Sequence, residues 1–474
     1  MSKFIRSFSL FLVLFLSFTG YAAADDFLAT RSAIIHEEDN SASKEVGRLN
    51  QGDRVPILDR NSDETYFKIR TQTAIEGWVS KSRGKVIYSA PLATTTTTTS
   101  SSATFNFYFG NLHSHVSELS RENNISKSTY EEAFTYAMDK GNLDFMAITI
   151  HNHLAEPDAY AKLISITNDP MYYKTGKFAP IAGQEFSTLS SGNHINIFEA
   201  DAWIDPSEVP NGEFKEFYEI WIPKHKTKYT SLQFNHPNST LFAGYKRQEY
   251  GRDDYEDNIQ SLLKATDKLV SMIEIISANT HNDATNKPHV DENTTRLNAY
   301  LFALNEGWHL APAANQDNHR KNWGTSSSSR TACIAKELTK EAILNAIKNS
   351  RCYATEDENM KVTFKAGNYW MGSVVDIHEI SGLYIKAEDD GEPNAMYTVR
   401  LYMDKIDDSK LTINSKPIKT FTLKNKEEAI FPIDNPETDT YYFLRVTQSK
   451  NQDDPNGTED DAWTAPIWVS EISH

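Results

Sequence analysis

The 474-residue chain has 48 lysines and arginines against 65 aspartates and glutamates, a formal net charge of −17. This length excludes a single small binding module and predicts about two to four domains. The acidic balance excludes general coating of nucleic acid and adhesion to anionic lipid, and 11% aromatic residues argue against long disorder.

Residues 1–24 have the composition of a cleavable signal peptide. Two basic residues precede the apolar run Leu10–Leu16, and three alanines end at Ala24. The apolar run is too short for a membrane span, so we expect an exported protein, periplasmic or secreted, without one. After export, Cys333 and Cys352 either form a disulfide or remain as two buried thiols.

Residues 25–90 predict a small all-β module. The turn glycine Gly52 precedes the strand Val55–Leu58, and an aromatic strand at Tyr66–Ile69 leads to Gly77-Trp78-Val79. This order resembles the bacterial SH3-type module. The resemblance implies binding to a cell-wall component or a partner protein; a purely packing role is the alternative.

Residues 91–104 are almost entirely threonine and serine and predict a flexible linker. From 105 to 358 strand-like and helix-like patterns alternate, which is typical of a mostly parallel sheet. One helix is expected from a capping box at Ser128–Glu131 to a stop at Gly141, followed by a buried strand at Leu143–Ile150.

Residues 359–474 lose the helical pattern and predict a β-sandwich, with a packing role or a carbohydrate-facing role. The loop Asp453–Asp461 is rich in carboxylates. We interpret it as a solvated acidic loop in preference to a calcium site.

Histidines and acids in the central region follow strand-like segments. Parallel strands of a β/α barrel end on one rim, so side chains just past these segments should meet there. His194 differs because it starts its strand. The residues concerned are His113, His115, His151, Glu185, His194, His236, Asp317 and His319.

Imidazole and carboxylate ligands suit zinc, manganese or iron, and the lack of cysteine disfavours a closed structural zinc site. A lone histidine after a strand is usually a hydrogen-bonded loop residue. So many at comparable positions predict a metal centre instead, with more ligands than one ion needs.

Four segments resemble the polymerase and histidinol phosphatase (PHP) superfamily, in its exported metallohydrolase branch. They are Gly110–His115, Leu143–Asn152, Asn315–His319, and the tail from Asn322 through Arg330 to Thr355. The resemblance implies a distorted (βα)7 barrel over residues 105–358 that hydrolyses phosphoesters, or in some members carbamates or amides.

The resemblance also implies which residues share an ion. His113, His115, Glu185 and Asp317 would bind one, and Glu185 would bridge to a second held by His194 and His236. His151 and His319 would belong to a third position.

The sequence departs from the superfamily pattern near that third position. Ile150 stands where the family commonly has aspartate, and the segment Glu118–Arg121 lacks the usual early aspartate or histidine. Two ions are expected, and the third depends on compensation by Glu118 or His153.

The preferred hypothesis is an exported metal-dependent phosphoesterase in which ions activate water. His151, His319 and Asp317 would act in catalysis, and Arg320, Lys321 and Arg330 would hold the anionic substrate. The alternatives are a carbamate or amide hydrolase with the same metal centre, and a catalytically weakened cell-wall-binding or scaffold protein.

Overall fold

The protein is described by a computed structural model. The described residues are 26–61, 65–71, 73, 75–87, 104–123, 125–186, 194–210, 213–237, 259–277, 290–406, 411–412, 414–449 and 459–472. They belong to two compact units, residues 1–102 and 103–474. The predicted signal segment 1–24 and, apart from Thr104, the predicted linker lie outside the described residues. The border expected near residue 358 stays a prediction.

The first unit is a small all-β domain, as predicted. Its seven strands pair in the order β3-β2-β6-β5-β4-β1-β7. Alternate residues such as Phe67, Ile69 and Val79 are buried in its core. The strands are β1 Asp26–Ala29, β2 Ala33–His36, β3 Glu45–Leu49, β4 Arg54–Arg60, β5 Tyr66–Arg70, β6 Glu76–Ser80 and β7 Gly84–Ile87.

The second unit begins with strands alternating with helices. The strands are β8 Asn106–Asn111, β9 Phe145–His151, β10 Ala179–Phe186, β11 His194–Phe198, β12 Ser231–Asn235, β13 Val270–Ser277, β14 Ala311–Asn315, β15 Arg330–Ala335 and β16 Cys352–Thr355. The helices are α1 Tyr130–Asp139, α2 Ala159–Thr167, α3 Phe214–Glu216, α4 Ile222–His225, α5 Ile259–Thr266, α6 Val290–Glu306 and α7 Lys340–Lys348, with a π-helical turn Phe217–Trp221 between α3 and α4.

These strands lie in the order β14-β13-β12-β11-β10-β9-β8-β15-β16. β8, β9 and β10 run parallel, as do β12, β13 and β14, while β11 is antiparallel to both neighbours. The closed barrel that we expected is not confirmed, because no ladder of the described strands joins β14 to β15. Instead, Thr331 Oγ1 donates to Ala314 O at 2.9 Å and accepts from Ala314 N at 3.0 Å.

Local sequence accounts for the two elements nearest the site. α1 is capped by Thr129, whose hydroxyl accepts from Glu132 N at 3.1 Å, one residue later than the predicted capping box. β9 is buried over Phe145–Ile150, as its continuous apolar run predicts.

The remaining strands form two sheets around one hydrophobic core. Val362 and Ile385 of one sheet and Val399 and Leu444 of the other belong to that core. The strands are β17 Lys361–Ala366, β18 Tyr369–Trp370, β19 Val374–Asp376, β20 Gly382–Glu388, β21 Met396–Lys405, β22 Lys419–Lys424, β23 Glu428–Pro432, β24 Thr440–Gln448, β25 Asp460–Thr464 and β26 Ile467–Ser470.

The two parts of this unit share a sheet. β16 pairs with β25, so the central sheet continues into β24, β21 and β22. Cys333 and Cys352 lie opposite each other on β15 and β16 and form a disulfide, which decides between the two states left open by the sequence. None of the helices in the described part of the chain is long and apolar enough to cross a bilayer.

Candidate metal centre

The side chains predicted as ligands lie at one edge of the central sheet. The eight residues lie at the ends of six strands. Five of these are carboxyl ends and the sixth is the start of the antiparallel strand β11, so all eight residues reach the same edge. His113 and His115 follow β8, His151 ends β9, Glu185 is near the end of β10, His194 starts β11, His236 follows β12, and Asp317 and His319 follow β14.

Glu185 lies at the centre of this group and is 1% exposed. Its two carboxylate oxygens face different imidazoles. Glu185 Oε2 lies 3.4 Å from His113 Nε2, 3.4 Å from His115 Nε2 and 2.9 Å from His151 Nε2, whereas Oε1 lies 2.9 Å from His194 Nδ1 and 3.5 Å from His236 Nε2. The carboxylate therefore lies between two groups of imidazoles.

Asp317 contacts the two histidines that follow β8. Its Oδ1 lies 3.0 Å from His115 Nε2 and 3.3 Å from His113 Nε2. Four overlapping sets of three ligand atoms are close enough to hold an ion: His113–His115–Asp317, His113–Glu185–His236, His115–Glu122–His151 and His151–Glu185–His194.

Glu122 belongs to this cluster, and sequence reasoning missed it. Glu122 Oε2 lies 2.8 Å from His151 Nδ1, and Oε1 lies 3.2 Å from His319 Nε2. Glu118, which we expected could compensate, instead accepts from Tyr130 N at 2.9 Å and pairs with the Lys162 ammonium. Glu122 lies one residue after the segment Glu118–Arg121, in which the superfamily pattern places an aspartate or histidine.

His153, the other expected substitute, lies beside the cluster rather than in it. Its ring centroid is 5.6 Å from that of His151, and it is in none of the four ligand sets. The nine residues His113, His115, Glu122, His151, Glu185, His194, His236, Asp317 and His319 are called the histidine site below.

Glu274 is a second residue that the sequence analysis missed. It is fully buried within β13; its Oε1 lies 3.3 Å from His113 Nδ1, and its Oε2 accepts from His236 N at 2.6 Å. A carboxylate behind an imidazole fixes the ring and makes it a stronger ligand. A single acid inside the apolar strand Val270–Ser277 was the available signal, because a buried carboxylate needs a partner.

The turns that carry two of the ligands have unusual backbone conformations. His236 has φ 28° and Asp317 has φ 44°, both in the left-handed region. Non-glycine residues adopt this region uncommonly, although aspartate and histidine do so more often than most. A hydrogen bond from His115 N to Asn318 O at 3.0 Å connects the Asp317 turn to the loop that carries His113 and His115.

Neighbouring imidazoles have shifted proton affinities. Burial and the nearby His151 lower the pKa of His115 to about 4. Burial also opposes protonation of His151, but Glu185 and Glu122 raise the pKa of His151 to about 10. Burial acts against ionisation of Glu185, yet His113, His151 and His194 hold the pKa of Glu185 well below its usual value. Cation binding at these groups would therefore displace protons.

The residues present fit divalent cations. Glu185 Oε2 is buried and has no hydrogen-bond partner among the described residues, although three imidazole nitrogens lie within 3.4 Å. A carboxylate oxygen in that position suits a cation shared with those nitrogens. Nitrogen and oxygen donors without sulfur match zinc, manganese or iron.

The three cations predicted to bind substrate lie in different surroundings. Arg320 is exposed and donates to His319 O at 3.3 Å, and Lys321 is exposed and pairs with Glu132 at 2.6 Å. Arg330 is 1% exposed and donates to main-chain carbonyl oxygens, among them Gly324 O at 2.9 Å. This buried placement argues against the predicted substrate contact of Arg330.

An open pocket of about 650 Å³, lined mainly by polar residue types, adjoins the histidine site at Glu122. Its walls include Ser117, Asn123, Lys127 and Glu132. Lys127 is exposed, so a positive charge stands within this cavity beside the site. The space is large enough for a small polar substrate.

Comparison with known families identifies the first unit. Residues 31–85 match the bacterial SH3 domain family, in agreement with the all-β fold of that unit. No curated protein matches this sequence. The chain therefore combines a bacterial SH3 domain with a larger unit that carries a cluster of buried histidines and carboxylates.

Proposed function

We propose that this protein is a metal-dependent hydrolase whose most favoured substrates are phosphoesters. The observation that carries the proposal is the convergence of the histidine site around Glu185, with one carboxylate oxygen aimed at three imidazoles. The order of strands and the ligand positions also support the PHP-type β/α architecture inferred from the sequence.

The proposed ligand sets follow from the distances. His113, His115, Glu185 and Asp317 would hold one ion, and Glu185, His194 and His236 a second. Glu122 and His151, with His319 behind Glu122, make a third position more favourable than the sequence alone indicated. Bound divalent cations would supply Lewis acidity toward a phosphoryl oxygen and would lower the pKa of water.

Exposure indicates where the chain's own groups meet substrate. His113 and His115 are at most 1% exposed, whereas Asp317 is 16% and His194 18% exposed. Asp317 and His194 are thus the more open members of the site, and the Asp317 carboxylate could accept a proton from the attacking water. His319 is fixed by its Nδ1 contact with Asp317 O at 2.9 Å, which leaves Nε2, shared with Glu122, to deliver a proton to the leaving group.

The cavity at Glu122 provides the substrate space in this proposal. Lys127 offsets the acidic walls and would attract an anionic group. Lys127→Ala should raise KM for an anionic substrate about tenfold with kcat little changed, because one charge-assisted contact is lost. The same change in kcat alone would contradict this role.

The decisive experiment uses the full chain. Metal content is measured after purification, and hydrolysis of a chromogenic phosphodiester, a phosphomonoester and an aryl carbamate is compared with added Mn²⁺, Zn²⁺ or Fe²⁺. We expect two or more ions per chain and fastest turnover of a phosphoester. Faster carbamate turnover would favour the second hydrolase class, and absence of metal would favour a scaffold.

We further propose that the protein is exported and that the SH3 domain binds a cell-wall component. The disulfide supports an oxidising compartment. On one face of the domain, the half-buried Trp78 lies directly opposite His36 and Lys68 on neighbouring strands. Trp78→Ala should abolish co-sedimentation of the full chain with purified cell walls, whereas Arg48→Ala should not.

A further inference from the structure

A group of oxygen-bearing side chains lies at one end of the two-sheet region, away from the histidine site in sequence. It is formed by the β16–β17 connection, the β20–β21 connection and the paired strands β24 and β25. Its members, called the oxygen cluster below, are Asp357, Asn359, Asp389, Glu392, Gln448 and Asp460.

The side-chain amide of Asn359 contacts the carboxylates of two neighbours. One end of the amide lies 2.7 Å and 2.9 Å from the two carboxylate oxygens of Asp389 and 3.2 Å from Asp357 Oδ1, and hydrogen bonding alone would place its nitrogen there as the donor. Oxygen atoms that share a calcium ion at about 2.4 Å are separated by roughly 2.7–3.4 Å. With a calcium ion present, the amide would turn its oxygen toward these carboxylates instead, so the two arrangements predict different solution behaviour.

A buried amide and a buried hydroxyl supply the second observation. Gln448 is fully buried, and its Nε2 reaches Asp389 Oδ2 at 3.1 Å and Glu392 Oε2 at 2.9 Å. Gln448 Oε1 has no hydrogen-bond partner among the described residues, and neither has the hydroxyl of Tyr397, which lies opposite Gln448 on β21. Two buried polar oxygens at one place are thus without a protein donor.

No lysine or arginine among the described residues pairs with the carboxylates of the cluster. Asp389 is 1% exposed, and neither it nor Asp357, Glu392 or Asp460 forms an ion pair there. The adjacent residue Asp390 does form ion pairs, with Lys361 at 2.7 Å and Lys426 at 2.8 Å.

The carboxylates that lack such partners hold protons more tightly than usual. Burial, together with Asp389, raises the pKa of Asp357 to about 6. Burial and the nearby Asp357 raise the pKa of Asp460 to about 7. A bound cation would remove both the burial penalty and the mutual repulsion.

We propose that the oxygen cluster is a calcium site with Asp357, Asn359 and Asp389 as its inner ligands and Gln448 completing the shell. Carbonyl and carboxylate oxygens without nitrogen or sulfur are the donor set that calcium prefers. Glu392 and Asp460 add negative charge around it. Asp460 belongs to the acidic segment Asp453–Asp461, most of which lies outside the described residues.

The site would stabilise the junction between the central sheet and the two-sheet region. Asp357 lies two residues after β16, and Asp389 directly follows β20 of the second sheet. A cation held between them would tie these loops together and stabilise the folded state by mass action.

The test is thermal unfolding of the full chain after removal of calcium, with CaCl2 added back. The melting temperature should rise by roughly 3–6 °C with half-saturation between about 1 µM and 1 mM. His115→Ala should keep this shift because it alters only the histidine site. No calcium-dependent shift in the unaltered chain would overturn the proposal.

Two substitutions at Asn359 separate the calcium site from an amide that merely donates hydrogen bonds. Asn359→Asp should lower the melting temperature without calcium and shift half-saturation to at least fivefold less calcium. If the amide is only a donor, Asn359→Asp weakens the fold equally with and without calcium. Asn359→Ala should require about tenfold more calcium; because Asn359 is exposed, this variant should fold.

Asp389→Asn and Asp390→Asn form the matched pair. Asp389→Asn should abolish the calcium shift, whereas its neighbour Asp390 pairs with lysines and should be replaceable without effect on calcium. Equal loss in both variants, or a full shift in Asp389→Asn, would contradict the assignment.

Discussion

The histidine site and the oxygen cluster both bury several carboxylates, but they surround them differently. In the histidine site, Glu185 lies among imidazoles, which hold the pKa of its carboxyl well below its usual value against the effect of burial. In the oxygen cluster, Asp357 lies among other oxygens, and its pKa is raised to about 6.

This difference teaches that the neighbours of a buried carboxylate, more than its burial, determine its chemistry. Imidazole and carboxylate donors together suit transition ions or zinc that polarise a substrate. Oxygen donors alone suit a calcium ion that stabilises loops. One chain would therefore use two kinds of cation for two purposes.

The largest effect is expected in the histidine site. Asp317→Ala should reduce phosphoesterase activity at least about 1,000-fold and lower the bound transition metal per chain, since a ligand and a proton acceptor are lost together. Activity and metal content are the measurements. His225→Ala is the control, because His225 pairs with Asp201 outside the site. Unchanged activity in Asp317→Ala would refute the ligand assignment.

The disulfide joins β15 and β16, which stand in the sheet between the strands of the histidine site and the strands of the two-sheet region. Its loss therefore tests whether the histidine site and the oxygen cluster unfold together. Cys333→Ala combined with Cys352→Ala should lower the free energy of unfolding by about 3 kcal/mol, as expected for a loop of this length. Denaturant unfolding followed by both activity and calcium response measures it. Two separate transitions would show that the histidine site and the oxygen cluster unfold independently, whereas a single transition would show that they unfold as one unit.

Glu122→Gln probes the third position of the histidine site. Loss of the charge between His151 and His319 should reduce activity about 10- to 100-fold and remove one ion per chain while the other ions stay bound. Glu341→Gln is the matched control, because Glu341 is exposed and contacts the Tyr173 hydroxyl outside the site. Full metal content with full activity in Glu122→Gln would confine the centre to two ions.

Asp144 is a third kind of buried carboxylate, with neither imidazoles nor a proposed cation beside it. Its substitution is expected to have the smallest effect of those considered. Burial raises the pKa of Asp144 to about 6, although its carboxylate accepts from Phe109 N at 2.8 Å. The folded state therefore binds more protons than the unfolded state, and stability falls as pH rises from about 4 to 6.

Asp144→Asn removes this penalty and should be more stable than the unaltered chain at pH 8 by about 2 kcal/mol, with the difference vanishing near pH 3.5. Unfolding at several pH values measures it, and the exposed Asp139→Asn should show no such pH-dependent difference. A constant difference at all pH values would exclude the titration of Asp144 as its cause.

The convergence of the histidines at one edge of the sheet could be predicted because most of them follow strand ends. His151 and His236, for example, stand where their strands stop. Glu274 was missed because it interrupts a strand instead of ending one, and Glu122 because its loop has no periodic pattern. Arg330 was assigned to substrate because sequence does not distinguish a loop arginine in solvent from one bound to main-chain carbonyls.

The oxygen cluster was beyond sequence reasoning. Asp357, Asn359 and Asp389 belong to loops where aspartate and asparagine are the usual turn residues. Only the register of β21, β24 and β25, which sets Tyr397, Gln448 and Asp460 side by side, brings the remaining oxygens to these loops. Long-range strand pairing of this kind leaves no local pattern.

The pairing of β16 with β25 also limits how the protein can be divided. A fragment ending at residue 358 would lack the partners of Tyr353, Ala354 and Thr355, namely Thr464, Trp463 and Ala462. It would expose an unprotected edge strand and invite aggregation. For biochemical work, residues 103–474 are therefore best kept as one piece.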